Sequence, residues 1–173
     1  MRIIFFILIV LSVSGCGNTI YIVRHAEKAA PARTEMQMMS TDVALSAAGE
    51  KRAEALKEKL KNKRLRYIFS TNTLRTRSTA APLLAIHPSM PLNLYSSRPD
   101  SAGILISRLQ EIRKGNILVV GHSNTIAGIA NQLCDKKVAD DLADHEYNFL
   151  FVLKRKGDRF VFKRKTYGEG NGQ

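Results

Sequence analysis

At 173 residues the chain is long enough for one domain with a proper core and too short for a second of any size. A hydrophobic fraction of 45% and a charged fraction of 24% are ordinary for a globular protein and exclude disorder away from the ends. The formal net charge of +12, from 27 Lys and Arg against 15 Asp and Glu, favours anionic partners. Phosphorylated small molecules, anionic lipid surfaces and nucleic acid all fit that balance, and so does a merely solvated basic surface.

The first residues read as an export signal. Met1-Arg2 is a short positive start, and Ile3 to Val13 is apolar except for Ser12. Such a run is shorter than the roughly 20 residues a membrane span needs and matches a secretory apolar region. Val13-Ser14-Gly15-Cys16 then looks like a bacterial lipobox. The expectation is a signal peptide over 1–15, a lipid on Cys16 and a single domain over 16–173. The chain is thus expected to be exported and held on a membrane, periplasmic or at the cell surface. Gly17 in place of Asp suggests outer-membrane sorting where a cell has two membranes. An ordinary signal peptide beside an unrelated cysteine is the alternative. Cys134 is the other cysteine, so no intramolecular disulfide is expected, and no Cys or His pair has metal-ligand spacing.

From residue 18 the chain alternates strand-like and helix-like stretches. Thr19 to Val23 is β-rich. Ser46 can cap a helix running to about Lys61, with Ala53, Leu56 and Leu60 on one face. Tyr67 to Phe69 is the next strand, followed by a helix through Thr79 to Ile86 that Pro82 should kink or shorten. Leu105, Leu109 and Ile112 mark another amphipathic helix. Ile117 to Val120 is a wholly apolar strand, which suits a parallel sheet covered on both faces. A helix through Ile126 and Leu133 follows. Phe-rich strands near 149–153 and 160–162 close the chain around a Gly157-Asp158 turn. Ala30 to Asp42 and Pro88 to Asp100 read as loops. The fold class is α/β, a three-layer α/β/α sandwich on a doubly wound, mostly parallel sheet.

Three strands end in chemistry. The first runs into Arg24-His25, the second into Ser70 through Arg75, and the third into Gly121-His122-Ser123-Asn124. Open α/β sheets bind ligands beyond the carboxyl ends of their strands, where helix N-termini also point. If the strands are neighbours, two arginines and two histidines converge on an anion.

The segments YIVRHAEK, LSAAGEKRA, STNTLRTRSTA and VVGHSNTI, in that order, resemble the histidine phosphatase superfamily, with its phosphoglycerate-mutase-like fold. The resemblance implies that His25 takes the phosphoryl group, that Arg24, Arg75 and His122 hold the phosphate oxygens, and that no metal or other cofactor takes part. It implies a cofactor-independent phosphomonoester hydrolase working through a phosphohistidine. The chain departs from the family in carrying Ala26 where many members have Gly, and Lys28-Ala29 where many have a phosphate-touching Asn.

The general acid is the open assignment. Asp100 is the first candidate, although after Pro99 it is also a natural helix N-cap. Glu27 is the fallback, with orientation of an arginine as its other reading. Ser123 and Asn124 either touch phosphate or cap the following helix. A non-catalytic phosphate-binding lipoprotein and a phosphoglycerate-type mutase stand as alternatives. Nucleic acid is not an expected partner, since charge is its only support. The expected partners are a phosphorylated substrate that the sequence does not name and the membrane under Cys16.

Overall fold

The computed structural model describes residues 17–30 and 42–170. The signal segment 1–15, Cys16 and the stretch 31–41 of the first expected loop lie outside the described residues. The elements in order are β1 (Thr19–Arg24), α1 (Ala47–Leu60), β2 (Leu65–Thr71), α2 (Leu74–Ala85), β3 (Leu92–Tyr95), a 3-10 turn (Pro99–Ser101), α3 (Ala102–Glu111), β4 (Asn116–Gly121), α4 (Ile126–Cys134), β5 (Phe149–Lys156) and β6 (Arg159–Thr166). They build one six-stranded sheet in the order β3-β2-β4-β1-β5-β6. The first four strands run parallel, and β5 and β6 add an antiparallel hairpin beside β1.

Side-chain alternation along the strands creates two cores. Ile20 and Ile22 of β1, and Ile117 and Val119 of β4, face α3 and α4 through Leu105, Leu109, Ile126 and Leu133. Tyr21, Val23, Leu118 and Val120 face the other way, onto Leu56 and Leu60 of α1 and Leu83 of α2. Both faces of the central strands are therefore covered, which is why these strands are continuously apolar. The result is the three-layer α/β/α sandwich. Among the described residues no helix is long and apolar enough to cross a membrane.

Local signals explain most boundaries. The Ser46 hydroxyl accepts the Gly49 N–H and starts α1 as expected. Gly49 itself is required, because a Cβ there would lie 2.2 Å from the Glu27 carbonyl oxygen. Three expectations need correction. Pro88–Asp100 is not all loop: Leu92–Tyr95 forms β3, paired in parallel with β2. It lies at the sheet edge and is only partly buried, so its pattern was too weak to read. Pro82 does not cut α2 short, since the helix continues to Ala85 and Pro82 falls in its last turn. Ser123 and Asn124 do not cap α4, whose N-cap is Thr125.

At the amino end of β1 the chain is tied down at once. Asn18 is buried, and its side chain donates to the Ile112 carbonyl at 2.8 Å and accepts from Arg155 Nε at 2.8 Å. The buried Arg155 guanidinium also donates to the carbonyls of Leu109, Gln110 and Ile112, where α3 ends. It thereby satisfies carbonyls that the helix leaves without partners.

Candidate active site

The crevice forms where β1 and β4 lie side by side and their following helices leave to opposite faces of the sheet. Such a switch point leaves the strand ends open to a ligand. Arg24 pairs with Gly121 in register, and the His25 N–H continues the ladder to the Gly121 carbonyl at 2.8 Å. This brings the two histidines together: their rings sit 5.4 Å apart, edge to face.

His25 is 5% exposed. Its Nδ1 lies 2.8 Å from the Ala26 carbonyl oxygen. A carbonyl only accepts, so Nδ1 carries the hydrogen and the lone pair of the neutral ring is on Nε2. Burial, and then the charges of Arg24, Arg75 and His122, lower its pKa to about 3, against the raising effect of the Ala26 hydrogen bond. The imidazole is therefore neutral, with a nucleophilic Nε2, across the ordinary pH range.

His122 is held by Thr71, whose hydroxyl oxygen is 2.9 Å from Nε2. Thr71 is buried at the end of β2 and touches the hydroxyl of Thr76 at 3.0 Å. Burial, followed by Arg75 and Arg24, lowers the His122 pKa to about 4. Arg75, in the first turn of α2, has Nη1 3.9 Å from Asp42. Asp42 also accepts the Leu74 N–H at 2.6 Å and so caps α2 from outside the helix.

Arg24 is 4% exposed, and its terminal nitrogens belong to the segment between α4 and β5. Nη1 donates to the carbonyls of Ala143, Asp144 and Glu146, and Nη2 donates to the Tyr147 hydroxyl at 3.2 Å. Its guanidinium carbon lies 4.0 Å above the Tyr147 ring. The Nε–H is buried without an acceptor among the described residues. A buried, unpaired cationic donor is costly, and an anionic oxygen would satisfy it.

The other expected residues lie elsewhere. The Glu27 carboxylate is taken by Arg52, with Nε at 2.7 and 2.9 Å and Nη2 at 2.6 Å. Arg52 is buried and also donates to the carbonyls of Tyr167 and Glu169, so this pair ties β1, α1 and the chain end together. Asp100 is exposed in the 3-10 turn and accepts from the Ser101 hydroxyl at 3.1 Å. Nor does it cap α3, whose N-cap is Ser101. Ser123 is half-buried in the turn after β4, and its carbonyl accepts the Leu142 N–H. His145 is exposed and His87 is half-buried, both outside the crevice contacts described above. Among the described residues no group of three or more His, Cys, Asp or Glu side chains could hold a metal ion. Cys134 is half-buried against the core beneath α4.

Four supporting residues escaped the sequence reading. Thr79 accepts the Ala26 N–H at 2.9 Å and donates to the Arg75 carbonyl at 2.7 Å, linking the nucleophile's loop to α2. It and Thr71 lie inside the stretch Ser70–Ala80 that carried the resemblance. Arg52 lies inside Leu45–Ala53, another stretch that carried the resemblance, whereas Tyr147 offered no signal of its own because its partner is 123 positions away. Ala26 is buried with Leu45 and Ala53, so a methyl group is accommodated where many relatives have glycine.

The chain is similar to known proteins in part of its sequence and in its fold. Residues 20–95 match the family model of the histidine phosphatase superfamily, branch 1. No curated protein matches the sequence. Among solved structures, one from Agrobacterium tumefaciens, named "putative phosphohistidine phosphatase SixA", is 20% identical with a TM-score of 0.62. That superposition covers 88% of this chain and 99% of the other. A mycobacterial glucosyl-3-phosphoglycerate phosphatase is 15% identical with a TM-score of 0.63, covering 91% of this chain and 100% of its own. YhfR of Bacillus stearothermophilus is 15% identical at a TM-score of 0.60, covering 83% and 94%. At these identities the structures share the fold. The chain thus has the fold of these phosphatases, and over residues 20–95 it is similar to the histidine phosphatase superfamily, branch 1.

Proposed function

We propose that this chain hydrolyses phosphate monoesters through a phosphohistidine on His25. The observation that carries the reading is a buried, neutral His25 with its lone pair on Nε2, beside two arginines and a second histidine. In the first step Nε2 attacks phosphorus, a P–N bond forms, and the P–O bond breaks with its electron pair leaving on the alcohol oxygen. Water then attacks phosphorus, the P–N bond breaks with its pair returning to Nε2, and the proton that the water loses balances the one the departed alcohol oxygen takes from solvent. The Arg24 Nε–H, Arg75 and His122 stabilise the phosphoryl oxygens as charge spreads over them.

The charges acting on His25 come from Arg24, Arg75 and His122. Glu27 is committed to Arg52, and Asp100 is exposed in its turn. With neither of these two candidate acids at His25, leaving groups that depart without strong protonation suit the described residues best. Aryl phosphates and phosphoramidates such as phosphohistidine meet that condition, and two structural neighbours bear a phosphohistidine phosphatase name. The chain is further read as an exported lipoprotein anchored at Cys16, acting outside the cytoplasm. Anion binding alone does not need a neutral nucleophile, which disfavours a binding-only role.

The test is para-nitrophenyl phosphate hydrolysis in EDTA by wild type and His25→Ala, with trapping of labelled phosphate on the protein. Turnover and trapped label in wild type, both lost in the variant, support the reading. A folded wild type that binds phosphate but neither turns over nor traps label refutes it in favour of the binding lipoprotein.

A further inference from the structure

Gly17 is packed so closely against β5 that a Cβ on it would lie 2.3 Å from the Arg155 carbonyl oxygen. Asn18 is buried in the clamp with Arg155 and Ile112. Gly17 and Asn18 are therefore fixed at the start of β1, and Cys16 directly precedes Gly17 in the sequence. This start lies at the end of the sheet opposite the crevice. At about 3.3 Å per residue, His25 is about 25 Å farther along the strand direction.

The same end collects charge. β2 and β4 begin there, parallel to β1, and the β5–β6 hairpin turns there. The stretches 61–64, 112–115 and 156–159 read KNKR, IRKG and KGDR, seven basic residues with one acid, Asp158. They form one surface. Arg113 pairs with Asp158 at 2.8 Å, and the Asn116 side chain donates to the Lys63 carbonyl. Lys63, Arg64, Lys114, Lys156 and Arg159 are all exposed. Glu58, on the last turn of α1, is taken by Lys61, and Glu111 is exposed at the end of α3. The acids Glu27, Asp42, Asp144 and Glu146 lie instead around the crevice end.

We propose that this basic end is a docking face for an anionic lipid surface, so that the crevice with His25 opens away from the membrane. The proposal rests on the reading of Cys16 as the lipid anchor. An acyl chain on Cys16 would be one residue from Gly17, which is fixed at the end that carries the basic stretches. Lys and Arg at this distance from anionic headgroups reinforce the anchor. The domain would therefore take substrates from the aqueous side, and headgroups of its own membrane would lie out of reach of Nε2.

The test uses the acylated chain purified from membranes, in a Cys134→Ala background, carrying a fluorophore on Lys114→Cys or on Ser97→Cys. Ser97 is exposed in the connection after β3, at the crevice end. Each protein is reconstituted in vesicles of phosphatidylcholine alone or with phosphatidylglycerol, both containing a nitroxide-headgroup quencher. The Lys114 label should be quenched severalfold more than the Ser97 label on anionic vesicles. That difference should shrink on neutral vesicles and in about 0.5 M salt, where the Debye length falls below about 5 Å. Each of Lys63→Gln, Lys156→Gln and Arg159→Gln should weaken the headgroup contact about fivefold. Mass spectrometry of the same preparations shows whether Cys16 is acylated. An acylated protein with equal quenching at both labels overturns the docking face and leaves the anchor standing. A chain without the acyl mass overturns the anchor and the docking face together.

Discussion

Replacing His25 with Asn should flatten part of the acid sensitivity of the fold. The folded imidazole has a pKa of about 3, whereas an unfolded histidine titrates near 6.5. Above pH 6.5 both states are neutral and the group has no effect on the balance. As pH falls below 6.5, the unfolded chain takes up a proton that the folded chain refuses. Stability is therefore lost progressively until the folded ring itself titrates near 3. At about pH 4.5 the unfolded ring is two units below its pKa, which amounts to about 3 kcal/mol. Asparagine fits the comparison because its amide can replace the Nδ1 donor to the Ala26 carbonyl. Urea unfolding of both proteins at about pH 7.5 and pH 4.5 measures the difference, with carboxylates and other histidines common to both. Wild type should lose about 3 kcal/mol more than His25→Asn over that interval. Equal losses would mean that His25 is not held neutral by burial and cationic neighbours, and the account of its nucleophilicity would fall with it. In parallel, wild-type kcat/KM should show no inflection near pH 6.5 assignable to His25.

Two further substitutions separate positioning from scaffolding. Thr71→Val removes the hydroxyl on His122 Nε2 and should lower kcat/KM by up to about tenfold while costing about 1 kcal/mol of stability; unchanged kinetics would show that Thr71 does not orient that ring. Glu27→Gln leaves the buried Arg52 without its anion and should destabilise the fold by about 3 kcal/mol, with activity per folded molecule largely retained. A large loss of kcat in a stable Glu27→Gln protein would instead make Glu27 the general acid.

Much of the architecture was legible because it depends on local pattern. The apolar runs at β1 and β4, the Ser46 cap and the Gly157-Asp158 turn each act through near neighbours in the chain, so their types and positions follow from period and turn chemistry. Arg24, His25, Arg75 and His122 stood at strand and helix junctions in stretches specific enough to identify a family before any contact was known. The edge strand β3 was missed because a half-exposed strand of four residues carries little periodicity.

What the tertiary structure alone decided is how those residues are held and what they are free to do. Sequence places Glu27 two positions from His25, but the fold turns its carboxylate onto Arg52. Sequence gives Arg24 a charge, but the carbonyls at 143, 144 and 146 and the Tyr147 hydroxyl leave Nε as a buried donor without a partner among the described residues. The neutrality of His25 likewise arises from burial between β1 and β4 and from the charges of Arg24 beside it and Arg75 on α2. Desolvation and hydrogen bonding depend on which atoms meet across long separations in the chain, and residue order alone does not contain that information.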